Sequence, residues 1–77
     1  MDVKLTLAWK PVAEGEGPAT FEALNPNVRW WVASEAPTTT GLTAEPGKPI
    51  SVALDTDEIL YLSGAGTAVV LAENPIV

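Results

Sequence analysis

Residues Pro46 to Glu73 read PGKPISVALDTDEILYLSGAGTAVVLAE, and this stretch decides the fold class. Three short runs rich in Val, Leu, Ile and Tyr lie in it: Ile50–Leu54, Ile59–Leu62 and Thr67–Glu73. Such residues fit a pleated surface. An acidic turn, Asp55–Glu58, separates the first two runs. Ser63–Gly66 separates the last two and reads as a hairpin turn, with glycine supplying positive φ. Few gaps between prolines and glycines are long enough for a three-turn helix. Working outward, the same punctuation recurs along a chain with seven prolines and six glycines. It predicts further strands at Val3–Trp9, Thr20–Leu24 and Val28–Ser34. Their connections are Lys10–Ala19, Asn25–Asn27 and Glu35–Lys48. The expected fold is all-β, a small antiparallel β-sandwich or barrel of six to seven short strands. Residues 1–77 read as one domain, with 1–19 either an extended N-terminal arm or part of the sandwich.

Composition narrows the chemistry. The 77 residues include no Cys and no His, are 47% hydrophobic and 18% charged, and carry a net charge of −6 from ten acids against four bases. A domain this small has a marginal core, and the absent Cys and His remove disulfides and nearly all zinc, haem or iron–sulfur sites. Acidic surfaces repel phosphate and anionic lipid, which argues against nucleic acid and membrane as partners. The start of the chain lacks a basic and then apolar leader, and no apolar run approaches a membrane span. The expectation is a soluble protein made without a leader.

Catalysis finds little support, and no cofactor is expected. Ser–His and Cys–His pairs are impossible without His or Cys. A Ser–Lys pair from Ser34, Ser51 or Ser63 with Lys48 has no favourable spacing. Glu14/Glu16 and Asp55/Asp57/Glu58 fall in expected turns, where solvated carboxylates are ordinary. Asp55-Thr56-Asp57-Glu58 lacks the twelve-residue loop of a calcium hand. Gly64-Ala65-Gly66-Thr67 lacks the Lys-Ser/Thr of a phosphate cradle.

Period-two alternation is more informative. Val3, Leu5, Leu7 and Trp9 share one face of the first strand, and Ile50, Val52 and Leu54 share one face of theirs. Val28, Trp30 and Val32 make a core face, so Trp31 and Ala33 point away from it. Ile59 and Tyr61 oppose Leu60 and Leu62, and Val70 opposes Val69 and Leu71. Several strands are therefore apolar on both sides, more than so small a domain covers by itself; another chain is the simplest cover. Trp31 either lies under a loop such as Glu35–Lys48, anchors an interface, or stacks on a sugar ring. Arg29, on the same face, is solvated, paired within the chain, or paired with a partner's carboxylate.

From Phe21 onward the order of strands and turns resembles small all-β virion proteins of tailed bacteriophages. The resembling elements are an apolar strand entering Asn25-Pro26, the strand Val28–Ser34, and an Ala36-Pro37-Thr38 turn with Gly41. Glu45-Pro46-Gly47-Lys48-Pro49 then leads into Ile50–Leu54, followed by an acidic turn, Ile59–Leu62, Gly64 and Gly66, and Thr67–Val70. The resemblance implies a non-enzymatic structural protein. Its leading form is a capsid decoration (cement) protein on the outer capsid surface, present in the host cytoplasm before assembly. The implied partners are the major capsid protein or other virion proteins, and further copies of itself, a trimer suiting three-fold positions. Trp9, Arg29, Trp31 and Leu71 are the expected interface residues. A tail, baseplate or head-fibre component, or a carbohydrate-binding host-attachment module using an exposed Trp, is the alternative.

Overall fold

A computed structural model describes residues 1–76. Eight strands are present: β1 (Asp2–Leu5), β2 (Lys10–Glu14), β3 (Gly17–Ala23), β4 (Val28–Ala33), β5 (Leu42–Ala44), β6 (Ile50–Leu54), β7 (Ile59–Ser63) and β8 (Gly66–Ala72). They form two antiparallel four-stranded sheets, ordered β1-β8-β3-β6 and β2-β7-β4-β5. The all-β sandwich expected from the alternation is observed, with eight strands in place of six or seven.

The core lies between the sheets and follows the period-two rule closely. Val3, Leu5, Ala19, Phe21, Ala23, Leu54, Ala68 and Val70 point inward from the first sheet. Val12, Ala13, Val28, Ala44, Leu60 and Leu62 meet them from the second. Trp30, Val32, Ile50 and Val52 pack around this cluster. Phe21 and Trp30 make a tilted contact, with ring centroids 5.7 Å apart and planes at 58°. Each fully buried large side chain contributes about 1.5–3 kcal/mol through removal of apolar surface from water. Phe21, Leu60 and Leu62 are among them.

Several expectations need correction. The first strand ends at Leu5, because the chain then crosses from one sheet to the other; Leu7 is left 87% exposed. Of the two alternatives for residues 1–19, the strand pairing matches the second, part of the sandwich: β1 pairs with β8, β2 pairs with β7, and β3 begins at Gly17. The stretch Lys10–Ala19 hides β2, whose period is broken by a bulge between Pro11 and Ala13 that buries Val12 and Ala13 in succession. A bulge of this kind displaces the alternation by one residue. Pro11 is tolerated because β2 is an edge strand of its sheet, the place in a sheet where proline removes least of the hydrogen-bond ladder. β5, also missed, is three residues long and shows no measurable period.

The last correction concerns Ser63–Gly66. β7 and β8 belong to different sheets, so this connection crosses the sandwich and is not a hairpin. Its tightness depends on Gly64, where an added Cβ would lie 2.5 Å from the Asn27 carbonyl oxygen and 3.1 Å from Val28 Cα. Gly64 N–H donates to the Thr6 carbonyl at 2.8 Å. Three connections, β1–β2, β3–β4 and β7–β8, therefore meet at one end of the molecule.

Candidate functional site

The outward face of the sheet β2-β7-β4-β5 carries most of the residues singled out from sequence. Cross-strand register sets out three rows on it. Pro11, Tyr61 and Trp31 are neighbours in one row. Ser63, Arg29 and Thr43 form the next, and Glu14, Ile59 and Ala33 the third. Trp31 is half-buried, beside the Ser34–Gly41 loop. Tyr61 is only 6% exposed although it faces away from the core, shielded by Pro11 on one side and Trp31 on the other.

Two hollows lie on this face, and Thr39 of the β4–β5 loop borders both. The first, of about 470 Å³, is lined by Leu7, Trp9, Asn27, Arg29 and Ser63, together with Thr40 and Gly64. The second, of about 450 Å³, is lined by Trp31, Ala33, Glu35, Pro37 and Thr38. Both fall in the size range of small-ligand sites.

Trp9 reaches this face because Gly41 leaves room for it. A Cβ on Gly41 would stand 2.6 Å from Trp9 Cη2 and 2.7 Å from the Trp30 carbonyl oxygen. The indole therefore presses on the backbone of the β4–β5 loop at the one position without a side chain. Gly41 has φ +73°, a left-handed conformation that L side chains seldom adopt, and its N–H donates to Thr39 Oγ1 at 3.3 Å. Asn27, also left-handed at φ +69°, ends the Asn25-Pro26-Asn27 turn at the hollow's rim.

The electrostatics are uneven. Of the four bases, Lys48 pairs with Glu45 at 2.7 Å, in full solvent. That contact holds the Glu45 carboxyl below its ordinary value, mainly through the hydrogen bond and then through charge attraction. Arg29 makes no ion pair among the described residues. The acidic candidates from sequence do not meet at a cleft: Glu58 closes its own turn, its Oε1 accepting the Asp55 N–H at 2.8 Å.

Leu71 sits elsewhere. It lies on the outward face of the opposite sheet, 66% exposed, opposite Thr20 in register and close to Val69 and Pro18. The four expected interface residues thus divide: Trp9, Arg29 and Trp31 share one side of the sandwich, and Leu71 occupies the other. Tyr61, Asn27, Ser63 and Gly41 join the first group, although none of them is among the expected interface residues. Only Tyr61 left a trace in sequence, as the aromatic alternating with buried Leu60 and Leu62.

A scan against protein-family models, a search of curated proteins and a search of solved structures each return no match.

Proposed function

We propose that the protein is a non-enzymatic structural component of a bacteriophage virion, a capsid decoration (cement) protein that binds the outer surface of the shell and stabilises it. The resemblance of its strand-and-turn order, from Phe21 to Val70, to small all-β virion proteins supports this reading. The observation that carries it is Leu71, 66% exposed on an uncovered sheet face beside Val69 and Pro18. A lone exposed leucine is ordinary; here Val69 and Pro18 flank it, with Thr20, Glu22 and Glu73 around them, an apolar centre with a polar rim that suits docking. The molecule's extents are 30 × 24 × 19 Å. Its broadest face is comparable with the ~800 Å² that each partner contributes to a standard interface.

In this reading the Leu71 face meets the major capsid protein, and copies of the chain cluster at shell symmetry axes. The net charge of −6 suits the exterior, away from packaged DNA. Stabilisation is mass action: a ligand that binds only the assembled shell at 100 times its Kd adds about 2.7 kcal/mol per site. The test is thermal. Shells lacking the protein lose their contents at lower temperature than complete shells, Leu71→Lys fails to restore them, and Asp57→Asn, in an exposed turn, restores them. Equal survival of shells with and without the protein overturns the cementing role.

A second reading, a carbohydrate-binding host-attachment module, is favoured by one observation: the Trp9 indole borders the same hollow as the Asn27 amide and the Ser63 hydroxyl. Tryptophan fluorescence titrated with oligosaccharides tests it.

A further inference from the structure

We infer that the hollow between Trp9 and Arg29 binds a carboxylate-bearing sugar, of the uronic or sialic acid class. This rests on the second reading, that the face takes a glycan, and adds the chemical class. It is compatible with docking through Leu71, because the two surfaces lie on opposite sides of the sandwich.

Charge is the first support. The chain has ten acidic residues and four basic ones, yet no Asp or Glu lines this hollow and Arg29 does. Arg29 is exposed and has no acidic partner among the described residues. A guanidinium presents a planar fork that fits a carboxylate through two parallel hydrogen bonds. Within a molecule of net charge −6, an unpaired arginine in an acid-free hollow offers an anion local attraction. A single negative charge is also less repelled by the surrounding field than a phosphate dianion.

The remaining walls point to a sugar ring. Trp9 is held by its contact with Gly41 and the Trp30 carbonyl, so an apolar indole stands pre-positioned at the hollow. Rigid aromatic surface binds at low entropic cost. Around it are hydrogen-bonding groups with no partner inside the described chain. Ser63 lines the hollow and is 6% exposed, and its hydroxyl makes no side-chain hydrogen bond among the described residues. The Asn27 amide and the Thr40 hydroxyl stand at the rim. One apolar plate, three neutral hydrogen-bonding groups and one fork-shaped cation match a pyranose with an acidic substituent. A volume of about 470 Å³ accommodates one to two such units.

The experiment records 1H–15N spectra of the protein during titration with 3′-sialyllactose, digalacturonate, lactose and an acetylated Glu-containing tripeptide. Trp9→Phe assigns the indole resonance. The expected result is saturable movement of the Trp9 indole and of Ser63 and Arg29 amides by at least one acidic sugar in the millimolar range. Lactose then binds at least tenfold more weakly, and Arg29→Gln, a well-dispersed folded variant, weakens the acidic sugar at least tenfold. Equal binding of lactose and the acidic sugars overturns the carboxylate assignment while leaving the glycan reading in place. No response to any sugar overturns both. A saturable response to the tripeptide alone overturns the sugar assignment in favour of a protein partner.

Discussion

Replacing Gly41 by alanine tests how the Trp9 indole is held, and Gly47→Ala supplies its reference. The two glycines have nearly equal backbone angles, φ +73° and φ +77°. An added Cβ at Gly47 meets nothing within 4 Å, so that substitution carries only the left-handed backbone cost, about 1–2 kcal/mol. At Gly41 the same Cβ stands 2.6 Å from Trp9 Cη2 and 2.7 Å from the Trp30 carbonyl oxygen. Ordinary carbon contacts begin near 3.5 Å, so the overlap is close to a full ångström. The indole tip can swing away, but the Trp30 carbonyl belongs to β4, paired with Leu42, and cannot. Overpacking of this kind costs about 1–3 kcal/mol beyond the backbone cost. Gly41→Ala is therefore expected to destabilise the protein by about 1–3 kcal/mol more than Gly47→Ala. Urea unfolding followed by far-UV circular dichroism measures both. With a slope of about 1 kcal/mol/M for so small a protein, the midpoints should separate by roughly 1–3 M. In a Trp9→Ala background the Gly41→Ala penalty should shrink by about 0.5–1.5 kcal/mol, the part owed to the indole. Penalties for the two alanines within about 0.5 kcal/mol of each other would show that the indole is not seated on Gly41, and the pre-positioned wall of the hollow would go with it.

Three other outcomes are expected. Trp30→Ala should cost about 3–5 kcal/mol, because Trp30 packs against Phe21 and the core, whereas Trp31→Ala on the outward face should cost less than about 2 kcal/mol; chemical unfolding of the two variants decides it, and equal losses would contradict the division of the adjacent tryptophans. The lowered Glu45 value arises from Lys48, so its small contribution is present above the ordinary 4.5 and lost as pH falls through the folded value; an NMR titration should show Glu45 returning toward 4.5 in about 1 M salt, since the pair is fully exposed. Refolding should take longer than about 1 ms, because nearly every connection passes between sheets and local contacts are few; a stopped-flow trace completed within the dead time would contradict this.

Much of the fold was legible because strand alternation is a local property. Val28, Trp30 and Val32 turn inward, Arg29 and Trp31 outward, as the covalent geometry of an extended chain requires. Boundaries were legible where the alternation ran undisturbed, as at Ile50–Leu54. They were lost where it did not. β2 is bulged, so Val12 and Ala13 are buried in succession and mimic a loop. β5 is too short to display a period at all. Leu7 kept the alternation of β1 in sequence, yet the chain had already left the sheet.

The candidate site was legible in its residue types and not in its grouping. Trp9, Arg29 and Trp31 stood out as aromatic and basic exceptions in an acidic chain, and so did Leu71 as an outward leucine. Period-two spacing put Arg29 and Trp31 on one face, but nothing in the spacing said that Trp9 joins them and Leu71 does not. That depends on which sheet each strand joins.

The amino-acid sequence by itself therefore determined an all-β molecule, its inward and outward residues on each regular strand, and the absence of thiol and imidazole from its chemistry. Tertiary structure alone decided that β7 and β8 lie in different sheets, that Asn27, Arg29 and Ser63 converge on Trp9, and that Leu71 looks the opposite way. The physical reason is range: propensity and period act between neighbours in the chain, whereas strand pairing is selected by the burial of the whole core at once, between residues far apart in sequence.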